Sequence, residues 1–286
     1  MAHPWTPIFL PYGSLANWYD STDTTTLTLS TGDTVAAWRD KSYAGNDLSE
    51  ADYADLPVYG TTNINGLSTV DFDEGIAINL DDAEVIPLNG DFYIIYIGFN
   101  NTYTAPSTMF NFTGDGSSSL LIRQLNTTVT QCLLKDVGGG FVKQIGINGE
   151  DVDNRSVAYT IDADEAVGMT VTANYDAATE SLGSFTYPPL TRLTIGAQDG
   201  EVNGLNGQVG ELVVVQADDI SLTDKQKLEG YTAWKWGMVD ELPGGHPYKS
   251  AAPTVTDIEF RDKLYETSTE EGTERFRRLF ELGYVG

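Results

Sequence analysis

Between Tyr12 and about Gln216 the apolar residues come in short alternating or continuous runs, separated by clusters of Gly, Asn, Asp and Ser. LSTVDF (67–72), DFYIIYIGF (91–99), SLLIRQL (119–125), GMTVTANY (168–175), TRLTIGA (191–197) and ELVVVQA (211–217) are examples. Such runs, rich in β-branched and aromatic side chains, suit a pleated, half-buried surface and predict strands. No ten-residue stretch at helical period interrupts them, which argues against βαβ units. The pattern therefore predicts an all-β chain folded as an antiparallel β-sandwich of the jelly-roll kind.

The pattern changes at Ser221. Ser221 is a good N-cap and Asp224 stands three residues on, where it can answer with a reciprocal bond, so a closing helix is predicted to start here. Gly237 suits the left-handed residue that ends it. Leu228, Tyr231 and Trp234 recur every three residues and define the expected apolar face, which Met238 extends, while Trp236 falls off that face, at a sheet edge or partly exposed. Pro243, Gly244, Gly245 and Pro247 then end regular structure, and His246 between them reads as a capping donor rather than a catalytic base.

Past Pro253 the composition shifts: 13 of the last 33 residues are charged, against 45 of the preceding 253. Two helical patterns fit this tail, near Thr256–Glu266 and from about Ser268 to Leu282. The second has a stripe of Phe276, Leu279 and Phe280, and i,i+4 pairs Glu271–Arg275 and Glu274–Arg278. So short a helix is marginal alone in water, so its stripe has to dock, either on its own domain or on another subunit. The same choice faces the 11-residue N-terminal arm with Trp5. The expected organisation is an arm (1–11), a jelly-roll domain (12–253) and a charged helical tail (254–286), the tail serving as an assembly element.

Composition narrows the partners. The chain of 286 residues has 42 Asp+Glu against 16 Lys+Arg, a formal charge of −26. That surface repels phosphate backbones and argues against nucleic acid. A single cysteine, Cys132, forbids an internal disulfide, and no apolar stretch approaches the roughly 18 residues that span a membrane. MAHPWTPIFLPYG lacks a basic segment ahead of a long apolar one, so no signal peptide is expected. With only His3 and His246, and no Gly-x-Ser-x-Gly elbow, nucleophilic and zinc chemistry find little support. GEDVDN (149–154) lacks the glycine and distal Glu of a calcium-binding EF-hand loop. Asp71 and Asp73 share one face of their strand, about 6.5–7 Å apart, a separation that would suit the two carboxylates of a glycosidase.

Three stretches carry a resemblance. LANWYDSTDTTTLTL–STGDTVAAWRDKSYAGNDL (15–48) ends in a W-x-D-K-S-x-x-G-N loop. GLSTVDFDEGIAINL (66–80) contains a V-x-F-D-G strand and turn with Glu74 inserted. Residues 204–253 run from a last strand through the closing helix to an L-P-x-x-H-P-Y exit. Together they resemble the concanavalin A-like, laminin-G-like jelly-roll domains of bacteriophage tail or virion proteins and of bacterial surface proteins; the tail after 253 is not covered.

In that group these motifs are mostly architectural. The likeness implies a non-enzymatic structural and adhesion protein of a virion, made in the host cytoplasm. It would be a fibre, decoration or receptor-binding component, docked on other virion proteins or on itself as a homo-oligomer. It also implies Ca²⁺ and sugar binding at a loop rim, where Asp199, Glu201, Asn203 and Asn206 supply oxygen ligands; a separate cation site is expected at Asp73 with neighbouring loop carboxylates. Two other readings stay open: a Ca-dependent carbohydrate-binding module of a bacterial surface protein, and a glycoside hydrolase using Asp71 and Asp73. Against the last, DFDEG lacks the Glu-x-Asp-x-Glu pattern of jelly-roll β-glucanases.

Overall fold

The structure, a computed structural model, describes residues 2–11, 13–49, 56–73, 76, 78–79, 88, 90–101, 106–114, 117–136, 138, 140–148, 155–164, 168–178, 190–198, 203–216, 220–256 and 259–260. In chain order the strands are β1 (Ala2–Pro4), β2 (Leu15–Asp20), β3 (Leu27–Leu29), β4 (Val35–Trp38), β5 (Leu48–Ser49), β6 (Val58–Ile64) and β7 (Leu67–Phe72). There follow β8 (Ile78–Asn79), β9 (Phe92–Asn100), β10 (Ser107–Gly114), β11 (Ser119–Asn126), β12 (Val129–Lys135) and β13 (Phe141–Asn148). The rest are β14 (Arg155–Asp164), β15 (Gly168–Ala173), β16 (Asp176–Ala178), β17 (Leu190–Ile195), β18 (Gly207–Gln216) and, after helix α1 (Leu222–Lys235), β19 (Thr254–Thr256). The paired strands run antiparallel, so the chain is the antiparallel β-sandwich that the hydrophobic pattern predicts, and five of the six runs quoted above coincide with a strand to within two residues while ELVVVQA is the second half of β18.

Two sheets make the sandwich. One has nine strands in the order β13-β12-β11-β10-β17-β8-β5-β4-β3. The other has eight, β16-β15-β14-β9-β18-β7-β6, with β2 also paired to β18. Their inner faces close on one core that includes Trp38, Phe92, Tyr96, Phe110, Phe112 and Tyr159. Each such side chain taken fully out of water contributes about 1.5–3 kcal/mol. Cys132 lies in this core, where burial pushes its thiol well up. A second core forms on the outer face of the eight-stranded sheet, where Trp18, Ile95, Ile97 and Val213 meet α1 and the N-terminal arm. Among the described residues the eight-stranded sheet is therefore packed on both faces, against the nine-stranded sheet on one side and α1 with the arm on the other.

The W-x-D-K-S-x-x-G-N loop is architectural for a visible reason. The buried Asp40 carboxylate accepts hydrogen bonds from the amides of Trp18 (2.8 Å), Ser42 (2.8 Å) and Asn46 (3.0 Å) and from Ser42 Oγ (2.5 Å), so one side chain fixes both the loop and its attachment to β2. Lys41 reaches back to Asp20 (2.9 Å) and Asp23 (3.0 Å) and lies 4.2 Å above the Trp18 ring. Gly45, at φ 73°, supplies the left-handed turn.

Helix α1 starts at a complete capping box between Ser221 and Asp224 and ends before Gly237 at φ 72°. Its buried face differs from the one the three-residue spacing predicts. Trp236 is 1% exposed and Trp234 is 40% exposed. Each three-residue step falls about 60° short of a full turn, so by Trp234 the stripe has rotated about 120° away from Leu228. Steps of four residues overshoot by only about 40° each, and Leu228, Thr232 and Trp236 make the buried row. Trp236 lies flat on β18, where a Cβ at Gly210 would come within 2.7 Å of the indole.

The L-P-x-x-H-P-Y exit straps the helix from outside. Tyr248 packs on Gly230, where a Cβ would meet the Tyr248 Cβ at 2.6 Å. His246 Nδ1 accepts from the Tyr248 amide (3.2 Å), which leaves Nε2 to donate to Glu229 (3.0 Å), so the histidine does act as a structural donor. Lys249 donates to the carbonyls of Val239, Asp240 and Leu242 at 2.7–2.9 Å.

The N-terminal arm docks on its own domain. Strand β1 pairs with β19, and Trp5, Ile8 and Leu10 are 1–2% exposed in the second core. Residues 254–256 are thus a strand, and the first tail helix starts after them. Thr256 and Glu259 form a second capping box at the described residues Glu259 and Phe260. Phe276, Leu279 and Phe280 lie outside the described residues.

Candidate functional site

Among the described residues, polar side chains line a smaller and a larger depression. The smaller, about 280 Å³, sits at one end of the sandwich against β6, β7 and β18 and is lined by Asp71, Asp73, Asn101, Asn206 and Gln208 among others. Asn101 donates to Asn206 Oδ1 (2.8 Å) and accepts from Gln208 (3.4 Å), which makes a chain of amides along the cleft wall. Asp71 is clasped by the hydroxyls of Thr61, Thr62 and Thr69 and by the Thr62 amide. Burial pushes its carboxyl up, and the threonine donors pull it back only in part. Asp73 is exposed at the cleft mouth.

Of the residues expected to hold calcium, Asp73 and Asn206 line this one cleft. Asn203 stands apart from that lining. Its amide donates to Gln198 (3.0 Å), its carbonyl accepts from the Thr108 amide (2.8 Å), and its backbone is left-handed at φ 54°. Asp199 and Glu201 lie outside the described residues. Among the described residues no group of three or more His, Cys, Asp or Glu side chains stands close enough to share a metal ion.

The larger depression, about 490 Å³, opens on the outer face of the nine-stranded sheet. Among the described residues it is lined by Asn111, Thr113, Ser119, Lys135, Arg192, Gln198 and neighbouring Ser, Thr and Gly residues, none of them a carboxylate. The register explains why they meet. Thr113 on β10 lies opposite Arg192 on β17 and Ser119 on β11, and Ser119 lies opposite Lys135 on β12. Alternation puts the neighbours of each, such as Phe112, Leu120, Leu134 and Leu193, into the core. One cross-strand row thus presents cation, hydroxyl, hydroxyl and cation.

The residues expected from the sequence lie at the loop rim, and none of them belongs to this row. A signal was present: from Ser107 to Asn148 the acidic residues are Asp115 and Asp136 alone, in a chain where Asp and Glu number 42 of 286.

No protein-family model matches the chain, and no curated protein matches it. Solved structures do resemble it in fold. The botulinum neurotoxin serotype G binding domain aligns with a TM-score of 0.54 at 11% identity, over 79% of this chain and 51% of that one. The serotype D binding domain gives 0.54 at 12%, over 77% and 51%. A Trypanosoma rangeli sialidase in complex with sialic acid gives 0.54 at 10%, over 82% of this chain and 36% of the sialidase. The chain thus spans about half the length of the toxin domains and about a third of the sialidase. At these identities the likeness is one of fold, a β-sandwich of the kind the jelly-roll pattern predicts.

Proposed function

We propose that the chain is a non-catalytic, saccharide-binding β-sandwich that serves in adhesion. The observation that carries this is the depression on the nine-stranded sheet, lined by hydroxyls, amides and two cations. Sugars offer many hydroxyl groups and few charges, and sites that fix them need several donors and acceptors on a rigid support. A row of side chains on four hydrogen-bonded strands supplies that support. The fold likeness to the receptor-binding domain of a botulinum neurotoxin and to a sialidase in complex with sialic acid is analogy in support of the same reading. Asp71, the one half-buried carboxylate of the cleft, is occupied by three threonine hydroxyls, which favours a structural role over acid–base work.

The resemblance of residues 15–48, 66–80 and 204–253 to phage-particle and bacterial-surface domains supports a place on a virion or cell surface. The charged tail then supplies the contact to other subunits.

The test is an immobilised-glycan screen, followed by titration of the best glycan into the wild-type chain and into Ser117→Trp, which fills the depression from an exposed turn. Binding that the substitution abolishes is the expected result. No binding across the screen, or equal binding by the filled variant, overturns the proposal. Repeating the titration with calcium and with a chelator reads the loop-rim expectation separately.

A further inference from the structure

The amides that line the end cleft form a chain that is open at both ends. Gln208 donates through Nε2 to Asn101 Oδ1 (3.4 Å), and Asn101 donates through Nδ2 to Asn206 Oδ1 (2.8 Å). Among the described residues nothing donates to Gln208 Oε1, and nothing accepts from Asn206 Nδ2. Gln208 is 5% exposed and lines the cleft, so a polar side chain that is almost wholly buried keeps an unmet acceptor there. Polar groups at that depth are nearly always hydrogen-bonded, to protein, to water or to a ligand.

Both ends of the chain are held by the fold. Gln208 stands on β18, with Asp71 of β7 opposite on one side and Phe99 of β9 on the other. Asn206 immediately precedes that strand. Its backbone N–H donates to Ser107 Oγ (3.4 Å), and its carbonyl accepts from the Asn101 backbone N–H (3.1 Å). The same cleft has an apolar part, made by Val58, Phe72 and Ile76.

A ligand that closes the chain has to offer a donor to Gln208 and an acceptor to Asn206. A trans secondary amide points its N–H and its C=O in opposite directions, so one such group bridges an acceptor at one end and a donor at the other. A methyl on that amide then has Val58 and Ile76 to cover it. Size limits what carries the amide. About 280 Å³ is below the roughly 300 Å³ at which sites for drug-sized molecules begin, which suits one ring and its substituent rather than a peptide strand. Charge limits it further. Asp71 repels an anionic ring, and its oxygens are already taken by threonine hydroxyls and the Thr62 amide, so it offers no bare carboxylate to an ammonium. Resting on the saccharide reading above for the class of ligand alone, we infer that this cleft is a second sugar site. It takes the acetamido group of a neutral N-acetylhexosamine.

Saturation-transfer titrations test this with sugars that differ at one group. N-acetylglucosamine is compared with glucose and glucosamine, and N-acetylgalactosamine with galactose and galactosamine. In at least one set the acetylated member binds at least about tenfold more tightly than the other two, and its methyl receives the strongest saturation. Asn206→Asp keeps the acceptor for Asn101 but turns the donor into a second acceptor, so it removes that preference. Gln208→Met, which takes away the acceptor, does the same. Ile76→Ser weakens the acetylated sugar and leaves the unacetylated ones unchanged. Ser117→Trp, which fills the depression on the other sheet, leaves this binding unchanged and so separates the two sites. Urea unfolding of each variant shows whether it is folded.

Equal binding of acetylated and unacetylated sugars overturns the inference, as does a preference that survives both Asn206→Asp and a folded Gln208→Met. An acetylated peptide amide that binds more tightly than either acetylated sugar assigns the cleft to a peptide and also overturns it. So does the absence of binding by all six sugars. If the glycan screen still finds a ligand that Ser117→Trp blocks, the saccharide reading survives that failure; if the screen is empty as well, both fall.

Discussion

Glu211 is fully buried on β18 and accepts four hydrogen bonds, from Trp18 Nε1 (2.6 Å), Trp236 Nε1 (2.7 Å), Tyr231 OH (2.9 Å) and Lys235 (3.1 Å). It ties the middle sheet to the helix, since two of these donors come from α1 itself and Trp236 follows it directly. Removing one member of a buried charged network strands its partners, so Glu211→Gln is expected to cost about 3 kcal/mol in urea unfolding. Two nearby aspartates respond oppositely to pH. Burial pushes the Asp40 carboxyl up to about 6, against four donors that pull it down. Burial also raises Asp20, but the ammonium groups of Lys235 and Lys41 overcome it and hold that carboxyl well below the ordinary range. A raised folded value means that the native state binds the proton more tightly than the unfolded chain does. On account of Asp40, stability therefore grows as pH falls from about 6 toward 4, by an amount of the order of 2 kcal/mol. Asp20 contributes above its ordinary value near 4, and that contribution is lost as pH falls below it. The urea midpoint should thus pass through a maximum between pH 4 and 6. In Asp40→Asn the limb above pH 4 should flatten while stability drops at every pH; a wild-type midpoint that rises steadily up to pH 8 would contradict the assignment.

At the scale of elements, strands and caps were legible in the sequence because local rules decide them. Alternation placed β7, β9, β11, β15, β17 and β18; Ser221 with Asp224 and Gly237 placed the two ends of α1. The buried face of the helix was not legible from the same stretch. With tryptophans at 234 and 236, spacings of three and four give different stripes, and the choice between them is made by the glycine at 210 on a distant strand. The outcome is measurable with two substitutions. Trp236→Ala removes a fully buried indole and should cost about 3–5 kcal/mol; Trp234→Ala, whose ring is 40% exposed, should cost about 1 kcal/mol or less. Gly237→Ala should add a further loss of about 1–2 kcal/mol, since a left-handed residue with a Cβ is strained and that Cβ would press on Asn65 at 2.6 Å. The outer row of the nine-stranded sheet was harder to read. Arg192, Thr113, Ser119 and Lys135 are scattered over about 80 residues, and only the strand order β17-β10-β11-β12 makes them neighbours.

At the scale of the whole molecule the two chain ends are parts of one device. Strand β1 pairs with β19, His3 stacks on Phe260 with ring centres 4.3 Å apart, and Phe9 lies 5.8 Å from the same ring. Below them Trp5, Ile8 and Leu10 cover the second core. The first residues of the tail therefore hold the arm in place, and they belong to the fold whatever the rest of the tail does. A chain ending at Pro253 loses β19 and the Phe260 contacts together. Its arm should exchange amide hydrogens faster over residues 2–10, and its unfolding midpoint should fall, because a lid of three large apolar side chains is left without its outer strand. A chain ending at Phe260 keeps both and should match the full chain in stability. That second chain isolates the assembly role proposed for Phe276, Leu279 and Phe280. Light scattering should give a defined oligomer for residues 1–286 and a monomer for residues 1–260. Equal masses for the two would assign the stripe a different partner, and a drop in mass only on cutting at Pro253 would trace it to the loosened arm instead.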